Sequence, residues 1–130
     1  MKKIEKTDTE WREELDREVY ETLRLEATER PTTSPLIHEK RAGTYVCAGC
    51  GQPLFKSDGK YNSGTGWPSF FVALDGALET KEDRKLAQVR TEYHCSRCGG
   101  HQGHVFDDGP AETGKRYCNN GVALKFIPEE

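Results

Sequence analysis

Apolar residues recur at four-residue spacing near the start of the chain and in short β-like runs after residue 43, so the pattern divides into a helical part and a strand-rich part. Trp11, Leu15, Val19 and Leu23 share one helical face, and Thr7-Asp8-Thr9-Glu10 ahead of them offers a capping box. The spacing predicts an amphipathic helix over about 8–29, or two short helices with Asp16 capping the second, ended by Pro31. Arg30-Pro31-Thr32-Thr33-Ser34-Pro35 reads as an extended connector. Beyond it, β-like runs at 44–47, 70–74, 87–95, 104–107, 115–118 and 122–127 alternate with turn signals. Those signals are Asp58-Gly59, Asp75-Gly76, Asp108-Gly109-Pro110 and Asn120-Gly121, and antiparallel sheet is the expected outcome. The charged segment 79–84 is expected to be a solvated loop or a sheet edge.

Composition narrows the class. With 130 residues, 34% hydrophobic content and 13 glycines, one turn-rich domain is expected, with a helical segment at about 8–29 and a β core at about 43–127. A net charge of −3 argues against a nucleic-acid partner. The N-terminus lacks an apolar signal core and no stretch is long and apolar enough for a membrane span, so a cytoplasmic protein without membrane contact is expected. Nothing in the pattern advertises an extended apolar interface, and a monomer is expected.

The cysteines carry the strongest chemical signal. Cys47-Ala48-Gly49-Cys50 and Cys95-Ser96-Arg97-Cys98 are matched Cys-x-x-Cys pairs, each followed by a glycine that lets the backbone turn. Two such knuckles brought together give four-thiolate coordination of one structural zinc ion, with iron as a possible occupant of the same donor set. Two disulfides, or one redox pair with unrelated thiols, are the competing readings. The fifth cysteine, Cys118, follows Arg116 at the end of a predicted strand, where it is either a small core residue or a nucleophile whose thiolate a nearby cation favours. His101 and His104 flank Gly103 and offer a proton donor near neutral pH, although His101 could also extend the ligand run. In Ser63-Gly64-Thr65-Gly66-Trp67-Pro68-Ser69-Phe70, Trp67 suits the wall of an apolar pocket.

Taken together, these motifs resemble the methionine sulfoxide reductase B family. The resemblance runs from Trp11 to Ile127 and rests on Thr28-Glu29-Arg30-Pro31, both knuckles, the Ser63–Phe70 run, His101-Gln102-Gly103-His104-Val105-Phe106 and Arg116-Tyr117-Cys118-x-Asn120. It implies a mainly β fold of two packed antiparallel sheets with N-terminal helices and a four-cysteine zinc site. It also implies reduction of the R epimer of methionine sulfoxide in proteins. Cys118 would be the nucleophile, passing through a sulfenic acid, with His104 and His101 protonating the departing oxygen. Arg116 would stabilise the thiolate, Asn120 would hydrogen-bond in the pocket, and Trp67 and Phe106 would hold the substrate. Thioredoxin or a small thiol would recycle the enzyme.

Two departures from the family pattern stand out. Many members have a resolving cysteine where this chain has Thr65, and an apolar residue more often occupies the position of Asn119, with a small residue at that of Gly121. Two rival functions use the same residues. In a zinc-ribbon adaptor Cys118 would be core, and in a cysteine hydrolase Cys118, His104 and Asn120 would form the constellation. The two-residue gap between Cys118 and Asn120 argues against the hydrolase.

Overall fold

The apolar face that predicts one helix or two is broken at Leu15. In a computed structural model that describes residues 3–84, 89–110 and 112–129, it forms α1, Asp8–Glu14, and α2, Arg17–Leu25. The capping box is made: Glu10 N–H donates to the Thr7 hydroxyl at 3.2 Å and Thr7 N–H to the Glu10 carboxylate at 2.9 Å. Asp16 stands at the N-cap of α2, but its side chain accepts no capping bond. The helix stops at Leu25 rather than near 29, because Glu26 adopts a left-handed backbone with φ 60°. Residues 26–30 are thereby released into the connector. No helix among the described residues is long and apolar enough to cross a membrane.

Among the described residues nine strands follow: β1 Gly43–Cys47, β2 Pro53–Lys56, β3 Lys60–Tyr61, β4 Ser69–Phe70, β5 Leu78–Asp83, β6 Arg90–Cys95, β7 His101–Phe106, β8 Arg116–Asn119 and β9 Leu124–Pro128. They form a three-stranded sheet ordered β2-β1-β9 and a six-stranded sheet ordered β3-β4-β8-β7-β6-β5, every pairing antiparallel. The architecture is therefore the expected one, mainly β with two antiparallel sheets and N-terminal helices. Three strands escape the apolar pattern. Proline opens β2, β3 is only two residues long, and β5 is an edge strand whose central residues are charged or polar and exposed. The run expected at 70–74 pairs only through β4, and the one expected at 87–95 begins as strand at Arg90, with Ala87 and Gln88 outside the described residues.

Aromatic rings join the sheets. Phe55 stacks on Phe70 at 4.1 Å, Tyr45 meets Phe70 edge-on at 5.0 Å, and Phe55 touches Tyr93 and Tyr117 at 6.2 and 5.9 Å. The helices lie over the knuckles instead. Buried Leu23 of α2 packs so closely that a Cβ added at Gly49 or at Gly100 would come within 2.9 Å of its methyl groups. Arg24 adds a hydrogen bond from its guanidinium to the Cys98 carbonyl at 2.8 Å.

Leu23 thus wedges the helical layer between both knuckles. Leu23→Ala should lower the free energy of unfolding by about 2–5 kcal/mol, measured by urea denaturation. A loss within error would mean that the helices do not brace the knuckles.

Candidate active site and metal centre

The two knuckles fold alike. In each, the glycine after the second cysteine takes a positive φ, 80° at Gly51 and 77° at Gly99, and its N–H donates at 2.8 Å to the carbonyl of the first cysteine. Backbone N–H groups of Gly49 and Gly100 point at the sulfurs of Cys47 and Cys98, each at 3.4 Å. All four Sγ atoms lie within 4.8 Å of one another, with Cys47 3.7 Å from Cys98 and Cys50 3.6 Å from Cys95. A disulfide would need about 2.0 Å. A tetrahedron of sulfurs about 2.3 Å from a zinc ion has edges near 3.8 Å, so the donor set fits a four-thiolate metal. Gln102 and Gln52 add amide N–H donors to the sulfurs of Cys47 and Cys95 at 3.4 and 3.6 Å, the partners expected around thiolates.

The second site grows from strand alternation. On β8, Cys118 lies opposite Ser69 of β4 on one side and His104 of β7 on the other, and Arg116 lies opposite Phe106. Period 2 puts Cys118, Arg116, His104 and Phe106 on one face, while Tyr117 turns to the aromatic core. Gly103 is obligatory beneath them, since a Cβ there would collide with the Cys118 carbonyl. A cavity of about 310 Å³ opens over this face, walled by Trp67 and Thr65 from the glycine-rich loop and by Asn120 beyond β8. Thr28 and Arg90 also line it. The sequence marks Thr28 only as part of a motif and gives no signal for Arg90.

Six of the sequence-predicted residues thus meet in one cavity: Cys118, His104, Asn120, Arg116, Trp67 and Phe106. His101 does not line it. A register shift at Tyr93/His94 lets His101 reach Glu92, the cross-strand partner of His104, and the His101 and His104 rings meet edge-on at 5.7 Å. His101 is buried, its Nδ1 2.8 Å from the Glu92 carboxylate, and its Nε2 has no hydrogen-bond partner among the described residues. Burial pushes its pKa down, and Glu92 opposes this. His104 Nε2 lies 2.7 Å from the buried Asp83 carboxylate, which also accepts from Arg90 at 3.1 Å.

Arg116 is held by Asp108 through two hydrogen bonds of 2.8 and 3.1 Å and lies 4.3 Å over the Phe106 ring. Its pKa is raised, first by Asp108, with the Cys118 charge contributing less, so a permanent cation stands beside the thiol. Thr65 places its hydroxyl 3.6 Å from the Cys118 sulfur. Trp67 donates its indole N–H to the Glu29 carbonyl at 3.1 Å. Asn120 has both ends of its amide engaged, accepting from Glu29 N–H at 3.0 Å and donating to the Gln102 carbonyl at 3.1 Å.

Asn119 is fully buried and satisfied. It accepts from the Tyr93 hydroxyl at 2.8 Å and donates to the Gln102 side chain at 3.1 Å and to the Asn120 carbonyl at 2.9 Å. Gly121 fits because any Cβ would overlap the Ser34 side chain.

Comparison with known proteins places these features in a family. Residues 15–128 match the SelR domain. The peptide methionine sulfoxide reductase MsrB of Methanosarcina barkeri (strain Fusaro) is 52% identical over 131 positions, covering 100% of this chain and 92% of its own length. Its namesake in Pseudomonas putida (strain W619) is 50% identical over 131 positions, covering 100% and 98%. Among solved structures, the Mis18 "Yippee-like" domain superposes with a TM-score of 0.57 over 69% of this chain and 99% of its own, at 17% identity, a likeness of fold alone.

Two outcomes are expected from this geometry. Elemental analysis should find one metal ion per chain, and Cys95→Ala should lose both the metal and cooperative unfolding, since such a site contributes on the order of 10 kcal/mol to folding. The lowered pKa of His101 means that the folded state favours the neutral ring, so its contribution is present above the ordinary histidine range and is lost as pH falls through the lowered value. Melting temperatures between pH 7 and pH 5 should therefore drop more in the wild type than in His101→Gln. Equal drops would remove His101 as a source of acid sensitivity.

Proposed function

Because the chain belongs to the SelR domain family, that of methionine sulfoxide reductase B, and is an oxidoreductase acting on peptide methionine sulfoxide, we propose that it reduces the R epimer through a sulfenic acid on Cys118. The observation that carries this reading is the strand register that sets Cys118 directly opposite His104 in a cavity walled by Trp67. The Cys118 thiolate attacks the sulfoxide sulfur while His104, with His101 behind it, supplies the proton to the sulfoxide oxygen. Oxygen passes from the substrate sulfur to the cysteine sulfur. The substrate gains two electrons and leaves as methionine, and Cys118 becomes the sulfenic acid. Arg116 favours the thiolate, Trp67 and Phe106 hold the methyl side of the substrate, and Asn120 completes the wall.

Recycling follows from the cysteine inventory. Four of the five cysteines belong to the metal cluster, and Thr65 occupies the place beside Cys118 from which a second thiol would act. Two equivalents of an external thiol, from thioredoxin or a small thiol, therefore reduce the sulfenic acid and release water and a disulfide. The same reading has one reductase domain over 1–130, one structural zinc ion held by Cys47, Cys50, Cys95 and Cys98, and action as a cytoplasmic monomer on oxidised proteins, with no nucleic-acid or membrane partner.

With dithiothreitol as reductant, the wild type should consume the R epimer alone and Cys118→Ser neither; consumption of both epimers, or survival of activity in the variant, would overturn the assignment. After one turnover without reductant, mass spectrometry should find Cys118 oxidised by one oxygen. An internal disulfide to Cys118 would refute external recycling.

A further inference from the structure

Glu29 sits in the connector that the early end of α2 leaves unwound, and the chemistry above makes no use of its side chain. All its polar groups are nevertheless engaged around the cavity. Its N–H donates to the Asn120 side-chain oxygen at 3.0 Å and its carbonyl accepts from the Trp67 indole at 3.1 Å. Its half-buried carboxylate takes one N–H with each oxygen, Gly121 at 2.8 Å and Val122 at 2.9 Å. Burial pushes the carboxyl pKa upward against these two hydrogen bonds, and nearby Glu18 adds to the rise. No cation pairs with Glu29 among the described ion pairs, so the two backbone donors are its main support.

The neighbouring packing makes the connector a rigid reference. Thr32 N–H bonds the Gly66 carbonyl at 2.6 Å, and a Cβ on Gly66 would approach Pro31 to 2.7 Å, so the loop bearing Trp67 rests directly on Pro31 and Thr32. Thr28, on the other side of Glu29, lines the cavity itself.

We propose that Glu29 is a positioning residue: its carboxylate pins the connector to the backbone just beyond Cys118, and its own peptide groups then set Trp67 and Asn120, the two walls of the cavity, at a fixed separation. The proposal rests on the reductase reading for the identity of what the walls hold. The carboxylate itself touches no reacting atom. Its loss leaves the indole and the Asn120 amide without a fixed reference, which weakens grip on the substrate's methyl side more than it alters the thiol.

The test separates holding from mere bracing. The chain has two tryptophans, so a nitrogen-15-labelled sample gives two indole N–H signals, and Trp67→Phe identifies which belongs to Trp67. In metal-loaded Glu29→Ala the Trp67 signal should move while that of Trp11 stays. KM for the R-sulfoxide should rise roughly tenfold, with a smaller change in kcat, as expected for a misplaced binding wall. Alkylation of Cys118 by iodoacetamide should keep its wild-type rate. Glu29→Gln, isosteric and left with one suitable acceptor, should fall between, and it carries the test should the alanine variant fail to fold. An unmoved Trp67 signal with unchanged KM, even at a lower melting temperature, would overturn the proposal and leave Glu29 a structural brace. If the wild type reduces neither epimer, the reductase reading fails, and the indole signals alone still decide whether Glu29 holds the walls.

Discussion

Convergence of four thiols on one point is the constraint on which the rest of this structure depends. Cys47 ends β1 of the smaller sheet and Cys95 ends β6 of the larger, so the cluster joins the two sheets at one end. A metal held there would tie the two ends of the long segment between the knuckles, and its binding free energy would count toward folding. A domain with 34% hydrophobic residues has a modest apolar core, and here the aromatic contacts fill the space between sheets while the four-cysteine cluster closes their end.

The same knuckles aim the chemistry. The turn after Cys98 leads straight into β7, which carries His104, and β7 pairs with β8, which carries Cys118. Gln102 ties this hairpin back to the cluster, bonding the Cys47 sulfur at one end and Asn119 at the other. The cavity floor is thus built on strands, whose separation a ladder of hydrogen bonds maintains. Its walls come from loops, and they need separate anchors of the kind that Glu29 offers.

Much of this was legible in the residues. Period 2 in 104–107 and 115–118 is enough to put His104 with Phe106 and Arg116 with Cys118 on shared faces, and the twin Cys-x-x-Cys-Gly motifs foretell matching knuckles. His101 lies an odd number of positions from His104, so regular alternation would send it to the opposite face, and only the irregular register beside it returns it. Pattern cannot reveal that bulge. The charge of 79–84 points to a loop or a sheet edge without deciding between them, and β5 is the edge, since a strand paired on one side needs no apolar alternation. The bonds from Glu29 to Trp67, Asn120, Gly121 and Val122 join distant stretches of sequence through backbone atoms, which carry no residue-type signature.

The buried bond joining Asn119 to Gln102 has an evolutionary consequence. Replacing either side chain alone by an apolar one strands polar atoms of the other away from water, and replacing both still leaves the buried Tyr93 hydroxyl without the acceptor that Asn119 supplies. Positions 93, 102 and 119 are therefore coupled, and the effects of substitutions among them are not expected to add. Once acquired, the pair acts as a ratchet: each amide makes the other hard to lose.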